Sequence, residues 1–133
     1  DDDRVGLVFC DVDELKALND TWGHARGDDV LVEVARALES AVRRHDVVSR
    51  LSGDEFVILV DRVSDQEALD LVVAKCREAV STIQRPDGRP LSISVGGILA
   101  TREDDPKGLI DRADAEMMRD KERGRTERGV QPR

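Results

Sequence analysis

Two apolar runs, residues 47–51 and 56–60, stand only four residues apart, and Ser52-Gly53-Asp54-Glu55 between them supplies a turn. So short a link joins antiparallel neighbours, and a central β-hairpin is therefore the feature around which the rest of the chain must fit. The turn carries two adjacent carboxylates, Asp54 and Glu55. Crowding like charges at a hairpin tip is costly unless something positive binds there. A second acidic cluster, Asp11-Val12-Asp13-Glu14, ends the apolar run 5–10. If these two strand ends are neighbours in a sheet, their carboxylates would hold a hard divalent cation beside a phosphate-bearing substrate.

The segments around the hairpin read as crossover units. Residues 5–10 are continuously apolar, which suits a strand buried on both faces. Residues 15–22 read as a short helix stopped by Gly23, and a longer helix is expected to begin near Gly27-Asp28. Its apolar positions, among them Val30, Leu31, Val34, Leu38 and Val42, follow helical spacing. Ser64-Asp65-Gln66-Glu67 reads as a capping box opening a helix that buries Leu69, Val72, Val73, Cys76, Val80 and Ile83. Leu91, Ile93 and Val95 alternate with Ser92 and Ser94 in the pattern of a half-exposed strand. Asp105-Pro106 starts a last helix, which should turn Leu109, Ile110, Ala113 and Met117 inward and end near Gly124. The expected fold is α/β (α+β): a mixed central sheet of four to five strands with a β-hairpin, flanked by helices, in one domain over residues 1–133.

The chain has 133 residues, enough to bury a substantial core. A net charge of −8 argues against nonspecific binding to nucleic acid or to an anionic membrane, although a bound metal would reverse the sign locally. No apolar run approaches the length of a membrane span, so no membrane contact is expected of this domain. Cys10 and Cys76 fall on apolar faces and read as buried reduced thiols, a disulfide or metal pair being the less common arrangement; a cytoplasmic location follows. From Arg119 onward six basic residues face three acids. Composition favours a solvated helix end there over a phosphate clamp.

Four segments together resemble the GGDEF family of diguanylate cyclases. Asp11-Val12-Asp13-Glu14-Leu15-Lys16-Ala17-Leu18-Asn19-Asp20-Thr21-Trp22-Gly23-His24, followed by Gly27-Asp28, is similar to that family's first motif. Arg50-Leu51-Ser52-Gly53-Asp54-Glu55-Phe56 is similar to the motif that names it, Ser92-Ile93-Ser94-Val95-Gly96 to a later strand, and residues 113–125 to its closing helix. The departures are Ser52 for the first glycine of the naming motif, Leu15 for the usual Phe and Met118 for the usual Tyr. The turn motif that commonly precedes the first strand is missing, and the segment reads as a catalytic domain excised from a longer protein.

The resemblance implies a nucleotidyl-cyclase or polymerase-palm-like fold and a reaction that condenses two GTP into cyclic di-GMP with release of pyrophosphate. Two domains would form the active site as a homodimer, with Mg²⁺ (or Mn²⁺) as cofactor. It assigns Asp11, the Val12 carbonyl and Asp54 to the metal, and Asp54 and Glu55 to catalysis. Asn19 and Asp28 would read guanine. Lys16, Lys121 and Arg125 would hold the triphosphate with the amides around residues 14–16, and Gly53 would let the nucleotide approach the backbone. Arg43 and Asp46 match an inhibitory Arg-x-x-Asp site that binds cyclic di-GMP. His24 is expected to fix the loop before Gly27 rather than to act as a base.

On the residues alone, plainer readings compete. Asp11, Asn19 and Asp28 would serve as helix caps, Asp54-Glu55 as an ordinary polar turn, and Arg43 and Asp46 as a local ion pair at a helix end. The functional alternatives are a module of the same fold that binds GTP or cyclic di-GMP without turnover and regulates an attached domain, and, more distantly, a mononucleotide cyclase or polymerase-palm relative. Asn19, Asp28 and the naming motif argue against the last.

Overall fold

The hairpin forms where the spacing places it, and two crossover connections close a sheet around it. The computed structural model describes residues 4–101 and 103–127, with side chains described through residue 124. In chain order the elements are β1 (Arg4–Val12), α1 (Leu15–Trp22), α2 (His24–Ala41), β2 (Val47–Ser52), β3 (Glu55–Val63), α3 (Gln66–Val80), β4 (Ile93–Leu99) and α4 (Pro106–Glu127). The four strands lie in the order β2-β3-β1-β4.

All three neighbouring pairs are antiparallel, which corrects the expectation of mixed pairing. Each crossover does return its second strand parallel to its first. The two units interlock, however, so β3 sits between β1 and β2, and β1 sits between β3 and β4. This is a split β-α-β arrangement, in which every parallel pair is separated by an antiparallel strand.

The sheet is buried on both faces at its centre. On one face Val8, Cys10, Val12, Phe56, Ile58, Val60, Ile93 and Val95 pack against α2 and α3. Alternate residues of β1, Leu7 and Phe9, face the other way onto Ala113 and Met117 of α4. Phe56, Leu38, Ile58 and Leu69 are fully buried. Each stabilises the fold by about 1.5–3 kcal/mol, large against a domain's usual ~5–15 kcal/mol. Gly96 lets α4 come down onto β4: a Cβ there would lie 2.3 Å from the Met117 amide nitrogen and 2.5 Å from the Ala113 carbonyl oxygen.

Several boundaries differ from the sequence reading, each for a local reason. α2 begins at His24 rather than near Gly27-Asp28. Gly23, at φ +83°, ends α1 and turns directly into α2, a conformation open to glycine. Its amide donates to the Asn19 carbonyl at 2.7 Å and its own carbonyl accepts from Gly27 at 3.0 Å. His24 is therefore the first helical residue, and it is exposed. The cap of α3 is Asp65, whose carboxylate accepts from the Ala68 amide at 2.8 Å, one residue later than the box read from Ser64. Asp105 caps α4 as expected, accepting from Gly108 at 2.6 Å. Ile110 is 45% exposed rather than in the core, because α4 lays only the narrow stripe through residues 109, 113 and 117 on the sheet. α4 also runs past Gly124. Ser94 is buried, not exposed, for a reason found in the site below.

Candidate active site

β1 and β3 bring the two acidic clusters to one end of the sheet. Asp11 pairs in register with Glu55, and the Val12 amide donates to the Asp54 carbonyl at 3.1 Å. The turn needs no unusual backbone: among the described residues only Glu14 and Arg62 are non-glycine residues at positive φ, and Gly53 is not among the positive-φ glycines. Ser52 therefore replaces glycine without conformational strain. Its hydroxyl donates to Glu55 Oε1 at 3.3 Å, and Arg50 Nε braces the turn by donating to the Gly53 carbonyl at 2.9 Å. A Cβ at Gly53 would meet nothing within 4 Å, so the backbone there is open to an approaching ligand.

Asp11 is the electrostatic centre. It is buried, its Oδ2 accepts from Lys121 Nζ at 2.7 Å, and its Oδ1 is buried with no hydrogen-bond partner. Burial, and then the neighbouring Asp54 carboxyl, push its pKa up to about 7, while the Lys121 ammonium pulls it back. A carboxylate held at such cost, with one oxygen unfilled and a second carboxylate beside it, is the donor set a hard divalent cation satisfies. Among the described residues no three His, Cys, Asp or Glu side chains gather in metal-binding geometry. Asp11 and Asp54, with backbone oxygen, would hold such an ion with most of its shell left to water and substrate oxygens.

Asp13, one pleat further on the same face, explains Ser94. The Asp13 carboxylate is buried and accepts from the hydroxyls of Ser92, at 2.6 Å, and Ser94. The two serines of the later motif thus satisfy a charge from the first and tie the end of β1 to β4. Glu14 follows at φ 59° and opens α1. The Leu18 amide is the first to bond back, to the Glu14 carbonyl at 3.0 Å, which leaves the earlier amides of the turn directed outward beside exposed Lys16. Arg85, from the loop before β4, pairs with Glu14 at 3.5 Å.

Close helix contact, rather than capping, brings Asn19 against α2 at Gly27, the residue before Asp28. Both plain readings as caps fail here, since Gly23 ends α1 and Asp28 is the fifth residue of α2. The Asn19 Oδ1 is buried without a partner and lies where a Cβ on Gly27 would be, 1.8 Å away. Only glycine at position 27 lets this amide lie against α2 next to exposed Asp28.

The Arg43 and Asp46 pair lies at the other end of β3, some six residues and roughly 20 Å along the strand from the acidic turn. The Asp46 side chain is 1% exposed. Its oxygens accept from the backbone amides of Arg43 and Asp61, each at 2.9 Å. The Arg43 guanidinium, about half exposed, donates to the carbonyls of Asp61 and Arg62 and lies 3.6 Å from Asp46. Asp46 therefore shapes the turn and positions the arginine; its carboxylate is not open to a guanine. Arg125 lies on α4, but its side chain falls outside the described residues.

Sequence reasoning missed Arg77 and Asp120. Asp120 Oδ2 accepts from Arg77 Nη2 and from the Val95 amide, both at 2.8 Å, immediately before Lys121. A weak signal was present: Arg77 follows Val73 by four residues, at the flank of the inward stripe of α3, and is itself exposed.

A family model described as "Diguanylate cyclase, GGDEF domain" matches residues 1–127. The chain is 35% identical over 124 residues to the diguanylate cyclase DosC of Escherichia coli K12, which covers 91% of this chain and 27% of DosC. It thus spans about a quarter of that relative's length. Among solved structures, it superposes on Pseudomonas aeruginosa diguanylate cyclase SiaD, in complex with its activator SiaC, with TM-score 0.82, 36% identity, and coverage of 92% of this chain and 48% of SiaD. The GGDEF domain of DgcB from Caulobacter crescentus, in complex with c-di-GMP, gives TM-score 0.81 at 25% identity over 92% of this chain and 74% of that one.

Proposed function

The chain belongs to the GGDEF family of diguanylate cyclases, and from that premise we propose that it condenses two GTP molecules into cyclic di-GMP. The observation that carries this reading is the convergence of Asp11 and Asp54 with the unfilled Oδ1 of Asp11 and Lys121 across from it. When bound, a divalent ion such as Mg²⁺ or Mn²⁺ supplies charge stabilisation to the phosphoryl oxygens and acidifies the attacking hydroxyl. The chain's own residues do the rest. The outward amides at the start of α1, with Lys16, Lys121 and Arg125, bind the triphosphate. Asn19 and Asp28 accept and donate along the guanine edge, and Gly53 leaves room for the nucleotide.

Two copies of the domain face each other, each holding one GTP. The 3′-hydroxyl oxygen of each GTP attacks the α-phosphorus of the other, and the bond to the bridging oxygen of the β-phosphate breaks. Pyrophosphate leaves, and the hydroxyl proton passes to Glu55. Cyclic di-GMP then inhibits through the exposed guanidinium of Arg43, with Asp46 holding that arginine rather than contacting guanine. Product titration of Arg43→Ala should show inhibition weakened by tenfold or more; unaltered inhibition removes the site from the scheme.

One observation favours the alternative of a binding module without turnover, namely the Ser52 hydroxyl bonded to Glu55. Incubation with GTP and Mg²⁺, using the domain forced to pair by a fused coiled coil, separates the readings. Cyclic di-GMP supports the enzyme, bound unreacted nucleotide the module, and a monomeric cyclic product refutes both.

A further inference from the structure

β4 is an edge strand, hydrogen-bonded to β1 on one side only. Its outward amides and carbonyls need partners or water. At the phosphate end of the sheet two side chains supply them. Ile93 presents its carbonyl to Arg77 Nη1 at 3.1 Å, and Val95 presents its amide to Asp120 Oδ2 at 2.8 Å. The same Asp120 oxygen accepts from Arg77 Nη2 at 2.8 Å, so the ring closes. An arginine from α3 and an aspartate from α4 thus stand where a further strand would.

The position of this ring matters because of what α4 lacks. The last described residue of α4 that is buried and apolar is Met117. Beyond it the helix is held to the body by Asp120 on the β4 edge and by Lys121 on Asp11. Adjacent helical residues diverge by about 100°, so pinning Asp120 to β4 sends Lys121 across the end of the sheet towards β1. We propose that Arg77 and Asp120 are positioning residues that hold the end of α4 so that Lys121 meets the triphosphate. The proposal rests on the reading of Lys121 as a phosphate ligand.

Binding of a non-hydrolysable GTP analogue with Mg²⁺ is measured by calorimetry for the wild type, Arg77→Met, Arg77→Lys, Lys121→Ala and the Arg77→Met/Lys121→Ala double variant. Arg77→Met should weaken binding about tenfold, and Arg77→Lys should restore part of that. In the Lys121→Ala background most of the Arg77→Met loss should vanish, since the arginine acts through the lysine. Fully additive losses, or unchanged affinity in Arg77→Met, overturn the proposal. Amide exchange gives a readout independent of nucleotide: in Arg77→Met, protection should fall at Val95 and residues 118–124 and stay unchanged in β1 and β3. If the wild type binds no nucleotide, the cyclase reading falls, and exchange alone decides the clamp. Protection unchanged at Val95 and at 118–124 then refutes it.

Discussion

Replacing Asp11 by asparagine separates what this carboxylate does for binding from what it costs the fold. Burial first, then the Asp54 carboxyl, raise its pKa from 3.8 to about 7 in spite of Lys121. Between those two values the folded chain holds a proton that the unfolded chain has released. Stability therefore falls as pH rises through that window, and the full penalty is present above pH 7. Each pH unit of the gap is worth about 1.4 kcal/mol, so a gap of about three units bounds the effect near ~4 kcal/mol. The two units of that gap lying above pH 5 are worth ~2–3 kcal/mol. Asparagine does not titrate, and Lys121, itself 23% exposed, can turn its ammonium to water. In urea unfolding with chelator present, the stability of Asp11→Asn relative to the wild type should rise by ~2–3 kcal/mol between pH 5 and pH 8. The difference between the two proteins cancels the titrating groups that do not interact with Asp11. Mn²⁺ added at pH 8 should stabilise the wild type and leave the variant unmoved. A difference constant from pH 5 to 8, or a wild type gaining on the variant as pH rises, would refute the reasoning.

Three further substitutions test other parts of the site. Gly27→Ala should leave stability within about 1 kcal/mol, since only the flexible end of Asn19 must move, yet weaken GTP binding about tenfold by calorimetry. Gly96→Ala meets the backbone of α4 instead, so urea unfolding should show a loss of about 2–3 kcal/mol and nucleotide affinity should fall with it. Ser52→Gly removes a hydroxyl from Glu55 and relieves no strain, so steady-state assays should show KM unchanged and kcat raised by no more than about threefold; a gain of a hundredfold would mean that serine disables the turn.

Legibility followed range along the chain. The hairpin, the inward stripe of α2 and the cap at Asp105 are set by neighbours within a few residues, and periodicity reports those directly. Boundaries failed where a nearby competitor won, as at Gly23, which started α2 early, and at Asp65, which capped α3 in place of Ser64. Burial failed where a residue's surroundings came from afar: Ser94 reads as an exposed position until Asp13 arrives from β1, and Ile110 reads as core until α4 is seen to cover one column of the sheet.

By itself the order of residues determined the elements, the family and the residue types available for binding metal and phosphate, because these depend on local pattern and on motif. The tertiary structure alone decided which of them meet. Lys121 and Asp11 are 110 residues apart, and Arg77 and Asp120 are 43 apart. No periodicity encodes such contacts; they exist because two interlocked crossovers put β1 between β3 and β4 and laid α4 across their ends. The raised pKa of Asp11 and the unpartnered state of its buried Oδ1 follow from that burial.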